Sequence, residues 1–208
     1  LLPLTNAVGF AQRTRRELQH DPNRDFPYQP SSPSACMTTV AARSVNELLR
    51  AHLLQLVITF HAGMQALAYV WGDFAHRGGA AHNRSPDHTA LQAVAAAAGR
   101  YAGSGLQGSA ASAAAAAGRG AYPQGPMNDA VYPVHGGMED WAYAASWDAP
   151  RLTPCRPLTH GGYAAERTAT YENATARAAV YLVETSDAKQ PFAASLGRPA
   201  HALRAGAA

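Results

Sequence analysis

Val57-Ile58-Thr59-Phe60-His61-Ala62-Gly63-Met64 is the stretch whose reading decides the fold. Four residues suited to a buried strand run straight into a histidine, and Gly63 follows two residues later. The apolar run is almost continuous from Leu53 to Phe60, and its last part is β-branched and aromatic. A strand covered on both faces reads this way. A histidine at its carboxyl end lies where open α/β sheets keep their chemistry. A second run of the same kind, Ala179-Val180-Tyr181-Leu182-Val183, leads directly into Glu184. Two core-type strands therefore each deliver a polar side chain at the carboxyl end.

Working outward, residues 1–10 read as a strand ending in a turn at Asn6 to Gly9. Residues 11–34 hold a run of arginines and then an irregular loop, Asp21-Pro22-Asn23-Arg24-Asp25-Phe26-Pro27-Tyr28, fixed by its prolines and aspartates. A helix is predicted over 37–52, with Val40, Val45, Leu48 and Leu49 on one stripe and Arg43, Asn46, Glu47 and Arg50 opposite. Ser85-Pro86-Asp87 can open the next helix, which runs from about 87 to 101. Residues 103–121 are Gly, Ser and Ala apart from Leu106, Gln107 and Arg119, and read as a low-complexity insertion. Residues 122–148 are dense in Gly, Pro, Tyr, Trp and Asp, which suggests an ordered loop region lining a site. The tail from about 192 reads as surface.

Composition narrows the class. The chain has 208 residues, 47% hydrophobic and 15% charged, enough for one domain with a sizeable core. Net charge is +3 and the pI is near 9.0. Much of the excess sits at Arg13, Arg15, Arg16 and Arg24. Planar, two-pronged guanidinium groups in a local cluster suit a carboxylate or phosphate. A nucleic-acid binder would need a long basic face interleaved with aromatics, and this chain has neither. No run is long and apolar enough to span a membrane. Cys36 and Cys155 allow a single disulfide, and their spacing does not suggest a metal site. The sequons Asn83-Arg84-Ser85 and Asn173-Ala174-Thr175 lean with them toward a secreted or luminal protein. The first residues do not read as a signal peptide, having no basic start and no small-residue cleavage site. They read as the end of a strand begun earlier, so upstream sequence is expected.

The chain thus offers His61, Glu184, a loop with Asn23 and Arg24, and an aromatic Gly-Gly loop from Tyr132 to Trp141. A metal ligand, a carboxylate base, an arginine clamp and a tyrosine are the parts of a zinc peptidase. In order along the chain, five segments resemble the M14 family of zinc carboxypeptidases, over roughly residues 1–191. Asp21-Pro22-Asn23-Arg24-Asp25-Phe26-Pro27 resembles the family's D-x-N-R-N-F-P loop. Phe60-His61-Ala62-Gly63 resembles the strand end that carries the third zinc ligand. Tyr69 stands in the place of the tyrosine in the family's Y-P-Y segment. Tyr132-Pro133-Val134-His135-Gly136-Gly137-Met138-Glu139-Asp140-Trp141 resembles the Y-x-x-x-G-G-M-Q-D-W loop. Glu184 in Leu182-Val183-Glu184-Thr185-Ser186-Asp187-Ala188-Lys189-Gln190-Pro191 resembles the catalytic glutamate, with a continuation similar to the regulatory N/E-type branch.

The resemblance implies an α/β fold: a three-layer sandwich with a mixed, mostly parallel, twisted sheet and helices on both faces. It implies one carboxypeptidase-like domain over 1–191, incomplete at the N-terminus, with the insertion at 103–121 and a tail at 192–208. The implied activity is removal of a C-terminal residue from peptides or proteins with one Zn2+. His61 would be a metal ligand, Glu184 the catalytic carboxylate, and Arg16 the catalytic arginine, with Arg15 the neighbouring choice. Asn23, Arg24 and Tyr132 would hold the substrate's terminal carboxylate. Glu139 would face the leaving side chain, and a carboxylate there favours C-terminal Lys or Arg.

The departures define an alternative. The family takes two more zinc ligands from an upstream H-x-x-E, and that motif does not occur in this chain. Gly72 stands where the N/E branch has an Asp, with Asp73 one residue later. The competing reading is an inactive, carboxypeptidase-like extracellular module that binds C-terminal tails or serves a structural role. His20, His76, His82, His88 and His160 read as loop or surface residues, His135 as a neighbour of the Gly-Gly turn, and Trp71, Trp141 and Trp147 as packing residues.

Overall fold

The apolar run from Leu53 does become a strand, β1 (Leu56–His61), and its partners set the architecture. In the computed structural model, residues 2, 4–78, 84–102, 122–144, 155, 163, 164, 167 and 178–190 are described. Two helices precede β1: α1 (Ala7–Gln12) and α2 (Val40–Ala51). Then follow β2 (Met64–Tyr69), α3 (His88–Tyr101), β3 (Gln124–Pro126), α4 (Met127–Ala130), α5 (Met138–Ala144) and β4 (Ala179–Ser186). The sheet order is β1-β4-β2-β3. β1 and β4 run parallel with His61 opposite Glu184, β2 and β3 run parallel, and β2 is antiparallel to β4. This is a mixed α/β sheet.

Helices lie on both faces. On one, Tyr181 of β4 donates its hydroxyl to the Leu91 carbonyl of α3 at 3.2 Å. On the other, Thr59 of β1 donates to Glu139 at the start of α5 at 2.9 Å. Side chains alternate across a strand, so the odd and even positions of β1 belong to different faces. Ala66, Ala68, Val180 and Leu182 are buried with Trp71, Trp141, Tyr28 and Phe26 in the core.

Two expectations are corrected. β1 is not covered on both faces. It ends the described sheet, and Leu56, Ile58 and Phe60 alternate outward, Phe60 with 73% of its surface exposed. A continuous apolar run cannot show which neighbours will cover it. The described residues of 1–10 do not form a strand either: α1 starts at Ala7, because the Asn6 side chain accepts from the Gly9 amide at 2.8 Å and caps the helix. β2 (Met64–Tyr69) has no charged residue and no alternating pattern that marks it as a strand in the sequence, whereas β4 and the helices over 40–51 and 88–101 follow their sequence patterns. The region 122–148 contains β3, α4 and α5 as short elements among its loops. The insertion at 103–121 and the tail at 192–208 lie outside the described residues, as do Asn83, Asn173, His82, Trp147 and His160.

Cys36 and Cys155 form a disulfide with Cα atoms 5.8 Å apart. No helix among the described residues is long and apolar enough to cross a membrane.

Candidate active site

Parallel pairing of β1 with β4 brings their carboxyl ends side by side, and that register places His61 beside Glu184. The loops that follow or approach those ends close a cavity of about 120 Å3. Its walls include Arg15, Asn23, Arg24, His61, Tyr132 and Glu139, together with Glu184 and Lys189. Met127, Val131, Val134 and Leu182 supply apolar lining, and Gly72 and Asp140 also border it.

The Asn-Arg loop is fixed from two sides. Asp21 caps the short turn Pro22–Arg24 by accepting from the Asn23 amide at 3.0 Å. Asn23 is then clasped by consecutive residues of α5: its Oδ1 accepts from the Met138 amide at 2.8 Å, and its Nδ2 donates to Glu139 Oε1 at 3.3 Å. Arg24 Nη1 donates to the Asn23 carbonyl at 2.5 Å. Backbone pairs finish the join, from Phe26 N to Gly136 O at 3.1 Å and from Gly136 N to Tyr28 O at 3.2 Å. Gly136 has φ +62°, and a Cβ there would come 2.5 Å from the Arg24 carbonyl. A side chain is excluded at this position by both conformation and space. The tyrosine loop and the Asn-Arg loop therefore form one unit. Tyr132 itself is more than half exposed at the rim.

Glu184 is 7% exposed, and its Oε2 has no hydrogen-bond partner among the described residues. Burial raises its pKa, Glu139 adds to the rise, and His61, Arg15 and Lys189 oppose it. A carboxylate held this way is suited to taking up a proton. Glu139 Oε1 lies 3.7 Å from His61 Nε2. Asp140 is fully buried; burial and the Asp73 carboxylate push it well above the usual carboxylate range, against the Gly72 amide, with Glu139 adding to the rise. Asp73 is engaged by His76 Nδ1 at 2.7 Å, and the His76 ring stacks on Trp71.

Of the residues named from sequence, Asn23, Arg24, His61, Tyr132, Glu139 and Glu184 meet at this cavity, and Arg16 does not. Arg15 lines it in Arg16's place, held to Asp21 at 2.5 Å. Burial works against the charge on Arg15, but the Asp21 hydrogen bond and charge prevail, aided by Tyr132 and Glu184, and its pKa is raised. Which of two adjacent arginines faces the cavity cannot be read from spacing, because it depends on tertiary partners such as Asp21. His135 is not in the wall: it stacks on Phe74, and its Nδ1 lies 3.0 Å from the Gln29 carbonyl. Thr59 and Asp140 were missed. Thr59 could have been found as the residue two before His61, on the same strand face.

A model of the family described as zinc carboxypeptidase, Peptidase_M14, matches residues 5–155, and the chain belongs to that family. No curated protein matches it. A solved structure similar to the chain is bovine thrombin-activatable fibrinolysis inhibitor in complex with tick carboxypeptidase inhibitor, at 20% identity and a TM-score of 0.41. The similarity covers 59% of this chain and 40% of that one.

The M14 family is zinc-dependent. A catalytic zinc centre takes three protein ligands and an open position. Among the described residues, no group of three His, Cys, Asp or Glu could hold a metal ion. His61 alone does not meet that requirement, so the described donors do not fit a zinc site by themselves.

Proposed function

We propose that this chain carries the carboxylate-binding and proton-transfer groups of a metallocarboxypeptidase that removes a C-terminal Lys or Arg from peptides or proteins. The observation that carries the reading is the convergence of Asn23, Arg24, Tyr132, Glu139, His61 and Glu184 on one cavity at the carboxyl ends of β1 and β4. Asn23, Arg24 and Tyr132 take the free carboxylate of the substrate, which restricts action to the last residue. Glu184 accepts a proton from the attacking water and passes it to the departing amine. Arg15 faces the oxygen on which negative charge develops. Glu139 meets the basic side chain of the leaving residue. Catalysis requires two metal ligands in addition to His61, from outside the described residues. The Cys36–Cys155 disulfide supports a secreted or luminal location.

The lone imidazole supports a second reading: a module that holds C-terminal tails without cutting them. One experiment separates the two. Peptides ending in Arg, as free acid or amide, are titrated calorimetrically and then incubated with zinc-supplemented protein that includes whatever sequence is encoded upstream of Leu1, and followed by mass spectrometry. The enzyme reading expects binding of the free acid, release of Arg, and loss of turnover with retained binding in Glu184→Gln. Arg24→Ala weakens binding of the free acid by about 10- to 100-fold, the worth of a charge-assisted hydrogen bond. Binding without cleavage selects the second reading. Equal affinity for acid and amide sinks both.

A further inference from the structure

The two oxygens of Glu139 are not equivalent. Oε1 accepts from Thr59 Oγ1 at 2.9 Å and from Asn23 Nδ2 at 3.3 Å. Oε2 receives neither bond and lies beside the space left by the missing side chain of Gly137. A Cβ on Gly137 would come 3.7 Å from that oxygen, 3.9 Å from Asp140 Oδ2 and 3.2 Å from Val134 Cγ2. Asp140 is arranged alike, with Oδ1 accepting from the Gly72 amide at 2.9 Å. Two consecutive carboxyl groups, each at most 2% exposed, thus have one oxygen anchored and the other bordering a common gap. The cavity beside them is lined by Met127, Val131 and Val134, a surface suited to the methylene stem of Lys or Arg. Glu184, whose Oε2 is buried without a partner among the described residues, lines the same cavity.

The geometry points to Thr59 as the positioning residue that aims Glu139 at the basic side chain of the substrate's last residue, next to the methyl-sized gap at Gly137. This inference rests on the Lys/Arg reading above and names the device that produces it. Without the Thr59 hydroxyl, the carboxylate can rotate and turn both oxygens toward Asn23 and His61, away from the gap. Thr59 touches no substrate; it acts by fixing which oxygen is presented.

The test is a ratio of affinities, measured by calorimetry on the full chain with two peptides differing only in a final Arg or Leu, so it does not depend on turnover. Thr59→Val keeps the β-branched shape and removes the donor. It is expected to lower affinity for the Arg-ended peptide by about five- to tenfold, the effect of one hydrogen bond, and to spare the Leu-ended peptide. Thr59→Ser restores the ratio. Gly137→Ala, which fills the gap, lowers it again. If Glu139→Gln collapses the ratio and Thr59→Val leaves it unchanged, the role of Thr59 is refuted and the Lys/Arg reading stands. If the unaltered protein binds both peptides equally, or binds neither, the Lys/Arg reading fails and this inference with it.

Discussion

Asp140 shows how one buried side chain links the site to stability. The Trp that follows it is core, and its carboxyl group sits beneath the cavity with Asp73 nearby. Burial and the Asp73 charge raise its pKa, so the folded chain keeps a proton that the unfolded chain releases above about pH 4. Where the folded state binds more protons, stability falls as pH rises, up to the folded pKa. Asp140→Asn keeps the acceptor for the Gly72 amide and cannot ionise. Urea midpoints measured from about pH 4 to about pH 8 should decline in the unaltered protein and flatten in the variant. A decline of the same slope in both would show that Asp140 does not carry the proton. Legibility at this scale was uneven. His61 and Glu184 could be read because each closes an apolar run. Arg15 could not be told from Arg16, since the contact that places Arg15, its ion pair with Asp21, comes from the loop that follows.

At the scale of the element, α2 explains why the Asn-Arg loop stands where it does. The first amides of a helix have no partner within it. Here Asp25 accepts from Thr38 and Thr39 at 3.0 and 2.7 Å, Glu17 accepts from Val40 and Ala41 at 2.7 and 3.1 Å, and Thr39 Oγ1 accepts from Ala42 at 3.1 Å. Two buried carboxylates, one just before the loop and one within it, thereby dock that segment on the helix N-terminus, where negative charge is favoured. Glu17→Ala leaves two amides without their acceptor and should lower stability by about 2–4 kcal/mol in denaturant titration. It should also weaken binding of free-carboxylate peptides, because the loop loses its dock. Unchanged stability would mean that water replaces the carboxylate without loss. The periodicity of α2 was plain in its sequence; a cap from a carboxylate 23 residues upstream of Val40 was not, because no local pattern marks it.

Across the whole molecule, the disulfide joins positions 119 residues apart, from the loop before α2 to a point well beyond α5. Closing so long a loop restricts the unfolded chain most. Paired replacement Cys36→Ser with Cys155→Ser should lower stability by about 3–5 kcal/mol, read from thermal or urea midpoints with and without reductant. A difference near zero would mean that the remaining long-range contacts already restrict the chain.

The residues themselves determined much: two apolar runs closed by His61 and Glu184, the helical stripes, and five motif segments sufficient to place the chain among the M14 carboxypeptidases. These are local patterns, and period and propensity act over a few residues. Only the tertiary structure decided that β1 lies at the end of the described sheet, that Arg15 and not Arg16 lines the cavity, and that Glu139 is held by Thr59. Each depends on contacts between segments far apart in sequence, and burial and hydrogen bonding take their strength from neighbours that no short stretch of chain contains.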